Sequence, residues 1–382
     1  MPLCSARRHQ EPCLVPLPGN THDNATVEHL YDVSAYAVAA YARARYRVRA
    51  LGARFSLEPR TLVVSSHRSD DDVPVLVACL YAQAHGRWRR NARLHFAVRD
   101  DLFVPGFFAG YPQRVPGVVR RALFRVNVGP VLRSHLPCHP IRSATRMRLA
   151  EFLREHPDES LEALLPAALA APFRGAKLGR DALRGGNAQA LWCAVSPEEL
   201  DTPAATLSWA RRRAGALDDF RELVDVVRGG DSLAIFPEGR PSPDGELGPI
   251  LEGVTAIVRR ARPERIVALA PAYDPLVAGR THAYLAISAP SAPTDDAGEI
   301  LGLLRRTTPL TVGDSVAAAL ADHADPERRL ADDVEAARDE GRPYEPELDD
   351  AGVRRKRAAT AVIAAQGRTL DRLVRTYRSA RA

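Results

Sequence analysis

Apolar residues change period several times along this chain, and each change marks an element. Between residues 27 and 50, Leu30, Val33, Ala37, Tyr41, Ala44 and Val48 recur at spacings of three and four, which predicts an amphipathic helix capped by Thr26. After the turn at Pro59, the run Thr61-Leu62-Val63-Val64-Ser65-Ser66 predicts a short strand. A polar turn, His67 to Asp72, separates it from the apolar stretch Val73 to Tyr81, which predicts a helix. Leu94 to Arg99 reads as a second strand, and broken apolar patches over 101–135 lead to Leu136-Pro137-Cys138-His139-Pro140-Ile141-Arg142. Residues 143–217 carry helix-like pieces but no sustained period, and read as an insertion. Periodicity returns at Phe220, Leu223, Val224 and Val227, stops at Gly229-Gly230, and gives way to the strand Ser232–Phe236. A helix over 249–261, the strand Arg265–Pro271 and a further strand at Ala283–Ile287 follow, and from 296 to 382 the pattern is helical and charged.

Strands alternating with helices predict an α/β fold, a central mostly parallel sheet flanked by helices, with helical N- and C-terminal extensions. The domain reading is a loose tail over 1–24, one α/β domain over 25–295 carrying the 143–217 insertion, and a helical extension over 296–382. Composition agrees with a folded chain: of 382 residues, 46% are hydrophobic and 26% charged, which excludes disorder throughout. The net charge of +6 suits anionic partners, and with only Lys177 and Lys356 as lysines the positive charge is almost all arginine, the better fork for phosphate and carboxylate. The five cysteines, Cys4, Cys13, Cys79, Cys138 and Cys193, are odd in number and scattered, which argues against a disulfide framework. No signal peptide and no 18-residue apolar run are legible, so the expected location is cytoplasmic. Arg43, Arg45, Arg47 and Arg49 near the end of the first helix offer a basic face to an anionic membrane surface.

Candidate chemistry gathers at two strand ends. His67 and Asp72 follow the first strand, where a parallel sheet presents residues to a cleft outside its carboxyl edge. An imidazole beside a carboxylate is a general base able to take a proton from a hydroxyl. Phe236-Pro237-Glu238-Gly239 ends another strand with a carboxylate and a glycine that lets a ligand approach the backbone, and Arg142 supplies a guanidinium for a phosphate. Other readings of these residues stand beside this one. His67, Asp70 and Asp72 could serve a metal-dependent hydrolase or phosphoesterase. The runs Arg211–Arg213 and Arg354–Arg357 could serve a nucleic-acid or scaffold protein, but no aromatic-interleaved RNA-binding signature accompanies them and nucleic acid is not an expected partner. His135, Cys138 and His139 lack a fourth ligand and read as a structural turn; the tyrosines at 31, 36, 41 and 46 read as packing or interfacial residues.

Four ordered blocks resemble the PlsC-like glycerolipid acyltransferases. His67 to Asp72 is similar to that family's His-x4-Asp motif, and Phe96 to Phe103 leading to Pro140-Ile141-Arg142 is similar to its second region. Phe236-Pro237-Glu238-Gly239, followed by Ser242, Asp244 and Gly245, is similar to its Phe-Pro-Glu-Gly-Thr-Arg-Ser block, and Val267 to Ala272 to its proline-bearing strand. The third block departs from the family in having Arg240-Pro241 in place of Thr-Arg. The resemblance, over roughly residues 55–290, implies transfer of an acyl group from acyl-CoA or acyl carrier protein to a hydroxyl of a lysophosphatidate or glycerol-phosphate-type acceptor in phospholipid synthesis. It implies His67 as base, Asp72 as its orienting partner, and Arg142, Glu238, Gly239, Arg240 and Ser242 around the acceptor, with no metal or other cofactor. A peripheral station on the inner face of the cell membrane is expected from the basic helix 27–50, the Phe-rich stretch 102–108 and substrates that would reside in the bilayer; a degenerate member of the fold that only binds lipid is the alternative the altered third block keeps open.

Overall fold

The computed structural model describes residues 21–83, 94–107, 119, 122–134, 137–185, 187–242 and 245–381. Its centre is a seven-stranded sheet. The strands are β1 (Arg47–Gly52), β2 (Thr61–Ser65), β3 (Leu94–Arg99), β4 (Cys138–Ile141), β7 (Ser232–Ile235), β8 (Arg265–Asp274) and β9 (His282–Ile287), in the order β1-β9-β8-β2-β7-β3-β4. A separate two-stranded ribbon is formed by β5 (Met147–Arg148) and β6 (Ala194–Val195). Every neighbouring pair of the large sheet is parallel except β8 with β9, so β8, β2, β7, β3 and β4 run one way and deliver their carboxyl ends to one edge.

Strand alternation sorts the central side chains into two layers. Leu62, Val64, Leu233, Ile235, Ile266 and Ala268 meet Leu223, Val227, Val254, Ile257, Ile300 and Leu304 from the helices Pro203–Arg228, Glu252–Ala261 and Ala297–Thr307. Val63, Ala234, Val267 and Leu269 face the other way, onto Val75, Leu76, Cys79 and Leu80 of the helix α2 (Asp72–Gln83). With helices on both faces, β2 is buried at all five positions, which is why its sequence is a continuous apolar run rather than an alternating one.

The first helix, α1, covers Thr21–Arg45, and residues 47–52, read from sequence largely as its last turn, form β1 instead. Arginine on every second residue is the period of a strand, and β1 uses it: it pairs with β9 at the rim of the sheet, where Arg47 is exposed and Arg49 bonds Glu345 and Glu347, each at 3.0 Å. A second departure concerns Cys138 and His139, which lie in β4 and not in a turn; the His139 ring stands between His95 and Glu222, 2.7 Å from each. His135 lies outside the described residues.

The stretch after β4 builds a core of its own from Phe152, Leu153, Leu164, Phe173, Leu191, Trp192 and Trp209. Arg212 fastens that core to the sheet. Buried on the long helix Pro203–Arg228, it donates to Glu151 (2.7 Å), to the carbonyls of Ser143 (2.8 Å) and Arg146 (2.6 Å), and to Asp100 just beyond β3. Arg211 pairs with Glu155 at the surface, and in the other basic run Arg355 pairs with Glu327 and Arg357 with buried Glu345. Arg212→Ala strands two half-enclosed carboxylates and is expected to cost about 3 kcal/mol of unfolding free energy, the scale of breaking a buried pair. Arg211→Ala, at an exposed pair, is expected to cost less than about 1 kcal/mol; urea unfolding of the two variants makes the comparison.

Candidate functional site at the carboxyl edge of the sheet

β2 ends at Ser65, and two residues later His67 emerges at the sheet edge. Its Nδ1 lies 2.9 Å from Oδ2 of Asp72, the first residue of α2. The same Oδ2 accepts the main-chain N–H groups of Arg68 (2.6 Å) and Ser69 (2.9 Å), and Oδ1 accepts the phenol of Tyr273 at 2.7 Å. Four donors thus converge on one side chain that is 1% exposed, the arrangement an acceptor-only carboxylate needs when water is excluded. With Nδ1–H donated to Asp72, the lone pair of His67 resides on Nε2. The imidazole is 13% exposed and its ring packs on Phe236 with centroids 4.4 Å apart, so it is held on one side and reachable from solvent on another.

Phe236 follows β7, the neighbour of β2, and the chain turns at Pro237-Glu238-Gly239 directly beside the His67 loop. Glu238 is buried. Its Oε1 accepts the His67 N–H at 2.9 Å and its Oε2 accepts the Gly248 N–H at 2.8 Å, so both oxygens are committed to main chain and join the two loops. Burial raises the Glu238 carboxyl above its ordinary range, against the pull of those two amides and of the Arg68 and His67 charges. Ser242 completes the join: its N–H donates to the His67 carbonyl at 2.8 Å, and its hydroxyl accepts the Gly245 N–H at 2.9 Å. Gly239 sits at φ +70°, where a Cβ would come within 2.6 Å of Leu251, so the turn requires glycine. Arg240 is exposed beside it, and Asp244 lies outside the described residues.

The structure therefore brings together His67, Asp72, Glu238, Gly239 and Ser242. Arg142 is on the same edge but follows β4, three strand spacings or roughly 14 Å from β2. Its main-chain N–H donates to Asp219 at 3.0 Å, its guanidinium pairs with the same carboxylate at 3.3 Å, and the side chain lies across Gly215 of the long helix. Asp70, weighed as a metal ligand, is exposed on the loop, and the oxygens of Asp72 already face four donors. Among the described residues no group of three or more His, Cys, Asp or Glu is disposed to hold a metal ion.

Sequence reasoning missed the roles of four residues. Tyr273, two residues beyond Pro271 on β8, reaches Asp72 because β8 is the other neighbour of β2. Burial beside Asp72 holds its phenol well above the ordinary range, so it stays a donor. Tyr41 and Tyr46 both donate to Asp71, which also pairs with Arg45, and so anchor α1 and its end to the loop that carries Asp72. Arg68 is buried beneath the loop, neither of its terminal nitrogens has a hydrogen-bond partner, and its charge faces Glu238, Asp314 and Asp72. The spacing of Tyr41 and Tyr46 carried a signal only once α1 ends at Arg45; Tyr273 and Arg68 carried none.

Asp314 is buried near Arg68, and its carboxyl is pushed up to about 7, by burial first and by Asp274 next among the raising influences, against Thr311, Arg68 and Arg342. Its folded-state pKa lies above its ordinary value of 3.8, so the folded chain keeps a proton there that the unfolded chain has released. The stability this provides is full below about pH 4 and is lost as pH rises to about 7. Asp314→Asn, fixed in the neutral form, is expected to gain in melting temperature over the parent as pH is raised from about 5 to about 8, read by scanning calorimetry. Compared with protein-family models, curated proteins and solved structures, the chain matches none.

Proposed function

We propose that the chain is an O-acyltransferase of the PlsC-like glycerolipid type, in which His67 is the general base. The observation that carries this reading is the meeting of three segments far apart in sequence at one sheet edge: His67 bonded to Asp72, Asp72 bonded to Tyr273, and the His67 backbone bonded to Glu238. The order of the blocks along the chain supports the same family. In the proposed step, Nε2 takes the proton of the acceptor hydroxyl as its oxygen attacks the thioester carbonyl. The C–O bond forms, the C–S bond breaks, and the leaving thiolate takes the proton back from the imidazolium. Asp72 supports the imidazolium while it exists, and Tyr273 with the two amides keeps the carboxylate in line. The thioester supplies the activated carbonyl, so the protein's task is deprotonation and placement.

In this reading Glu238 and Ser242 act by fastening the two loops rather than by touching the acceptor, Gly239 gives the acceptor room, and the exposed Arg240 is the cation beside the base available to a phosphate. Arg142, held by Asp219, serves the far end of the cleft. Neither acyl-CoA nor acyl carrier protein is favoured as donor. We place the reaction at an anionic membrane surface: Val33, Tyr36 and Tyr41 are exposed on α1, close to Arg43 and Arg45, while Ala35, Ala39 and Ala42 face inward. No described helix is long and apolar enough to cross a membrane.

The test is thiol release from labelled acyl-CoA or acyl carrier protein with glycerol phosphate, lysophospholipids and non-phosphorylated alcohols as acceptors. His67→Ala is expected to lower turnover on the order of 100-fold or more, Asp72→Asn comparably, and Tyr273→Phe by a smaller factor. Parent-like rates in the first two variants, or no transfer to any acceptor by the parent chain, would end the proposal. Flotation with phosphatidylglycerol vesicles at low salt is expected to carry the protein along, and to fail in the presence of about 0.5 M salt as screening shortens the reach of the arginines.

A further inference from the structure

We propose that the C-terminal helix Asp371–Arg381 belongs to the site, and that Arg372 is a positioning residue that sets the distance between the His67 loop and the Glu238 loop. Its guanidinium NH2 donates to two carbonyls at once, that of Arg68, next to the candidate base, and that of Ser242 at 3.2 Å. Those carbonyls belong to loops that follow β2 and β7, so one planar cation spans the junction on which the candidate site is built.

The helix touches the second loop at two further points. Ser379 Oγ accepts the Leu247 N–H at 2.9 Å. Gly245, at φ +90°, lies so close beneath the helix that a Cβ would meet Thr376 Oγ1 at 2.1 Å and the Arg372 carbonyl at 2.9 Å. The other side of the helix is anchored in the C-terminal helices. Val374 and Tyr377 are buried, the Tyr377 phenol donates to Asp333 at 2.8 Å, Arg381 pairs with Asp333 at 2.7 Å, and Arg378 pairs with Asp322 at 3.0 Å. A segment more than 300 residues from His67 therefore sits as a brace between a packed helical body and both site loops.

The inference rests on the proposed function only in naming His67 a base, and its experiment reads the imidazole itself. In protein carrying 13C-labelled histidine, with the His67 resonances assigned through His67→Gln, Arg372→Ala is expected to shift the His67 ring resonances and Arg372→Lys to restore part of the parent position. Gly245→Ala, which drives helix and loop apart while retaining Arg372, is expected to shift them as well. Tyr377→Phe, which weakens the helix anchor away from the loops, is expected to leave them in place even where it lowers the melting temperature. If transfer activity is found, Arg372→Ala should reduce kcat between about tenfold and a hundredfold, the scale of small misplacement of reacting groups, with Tyr377→Phe near the parent. Parent-like His67 resonances in both Arg372→Ala and Gly245→Ala, or an equal shift in Tyr377→Phe, would overturn the inference. Absence of acyl transfer by the parent would instead sink the proposed function and leave the brace standing.

Discussion

The Asp72 carboxylate is the interaction on which the site depends. A carboxylate stripped of water is tolerable only when the lost hydration is replaced bond for bond. Here the replacement comes from the imidazole of His67, two amides of the loop that follows β2, and a phenol on β8. Each donor is thereby fixed in turn. The loop cannot unwind without stranding the charge, the imidazole cannot rotate without losing its partner, and β8 cannot slide against β2 without withdrawing Tyr273. One buried side chain at the start of a helix thus couples the shape of the sheet edge to the orientation of the His67 imidazole.

That coupling extends outward through β8. Successive residues of a strand point to opposite sides, and Tyr273 and Asp274 use this: the first serves Asp72, the second accepts the N–H groups of Leu276 (2.9 Å) and Gly313 (3.1 Å) and so holds the start of helix Val312–Ala321. Gly313 is required there, because a Cβ would lie 2.3 Å from the Asp274 carboxylate. The C-terminal helices are in this way seated on the sheet edge rather than appended to it, and their last helix returns to the loops of the site. Arginine does most of this fastening. Arg49, Arg212 and Arg372 each join segments distant in sequence by bonding carboxylates or carbonyls, which gives the arginine-rich composition a structural use independent of any anionic partner.

The two carboxylates of the site have separate tasks. Asp72 faces the imidazole ring, whereas Glu238 faces the main chain of the same residue and that of Gly248. The first sets what the ring can do with a proton, and the second sets where the ring is. Arg142 illustrates the limit of reading a cleft from strand ends alone: it stands on the correct edge, but Asp219 and the bare backbone of Gly215 draw its side chain onto the long helix.

The sequence by itself determined the elements whose information is local. The apolar runs of β2, β8 and β9, the glycine stop before β7 and the polar turn from His67 to Asp72 are each written in a few consecutive residues, and they sufficed to place an imidazole, its carboxylate and the Glu238 turn at strand ends. Even the beginning of β1 was written there, in arginines recurring at every second position; helical spacing of the apolar residues masked it. Tertiary structure alone decided which strands are neighbours. Only the order β8-β2-β7 brings Tyr273 and Glu238 to opposite sides of one loop, and only the packing of the C-terminal helices returns Arg372 to it. Such contacts join residues hundreds of positions apart, and their energy depends on burial and direction, neither of which leaves a period in the chain.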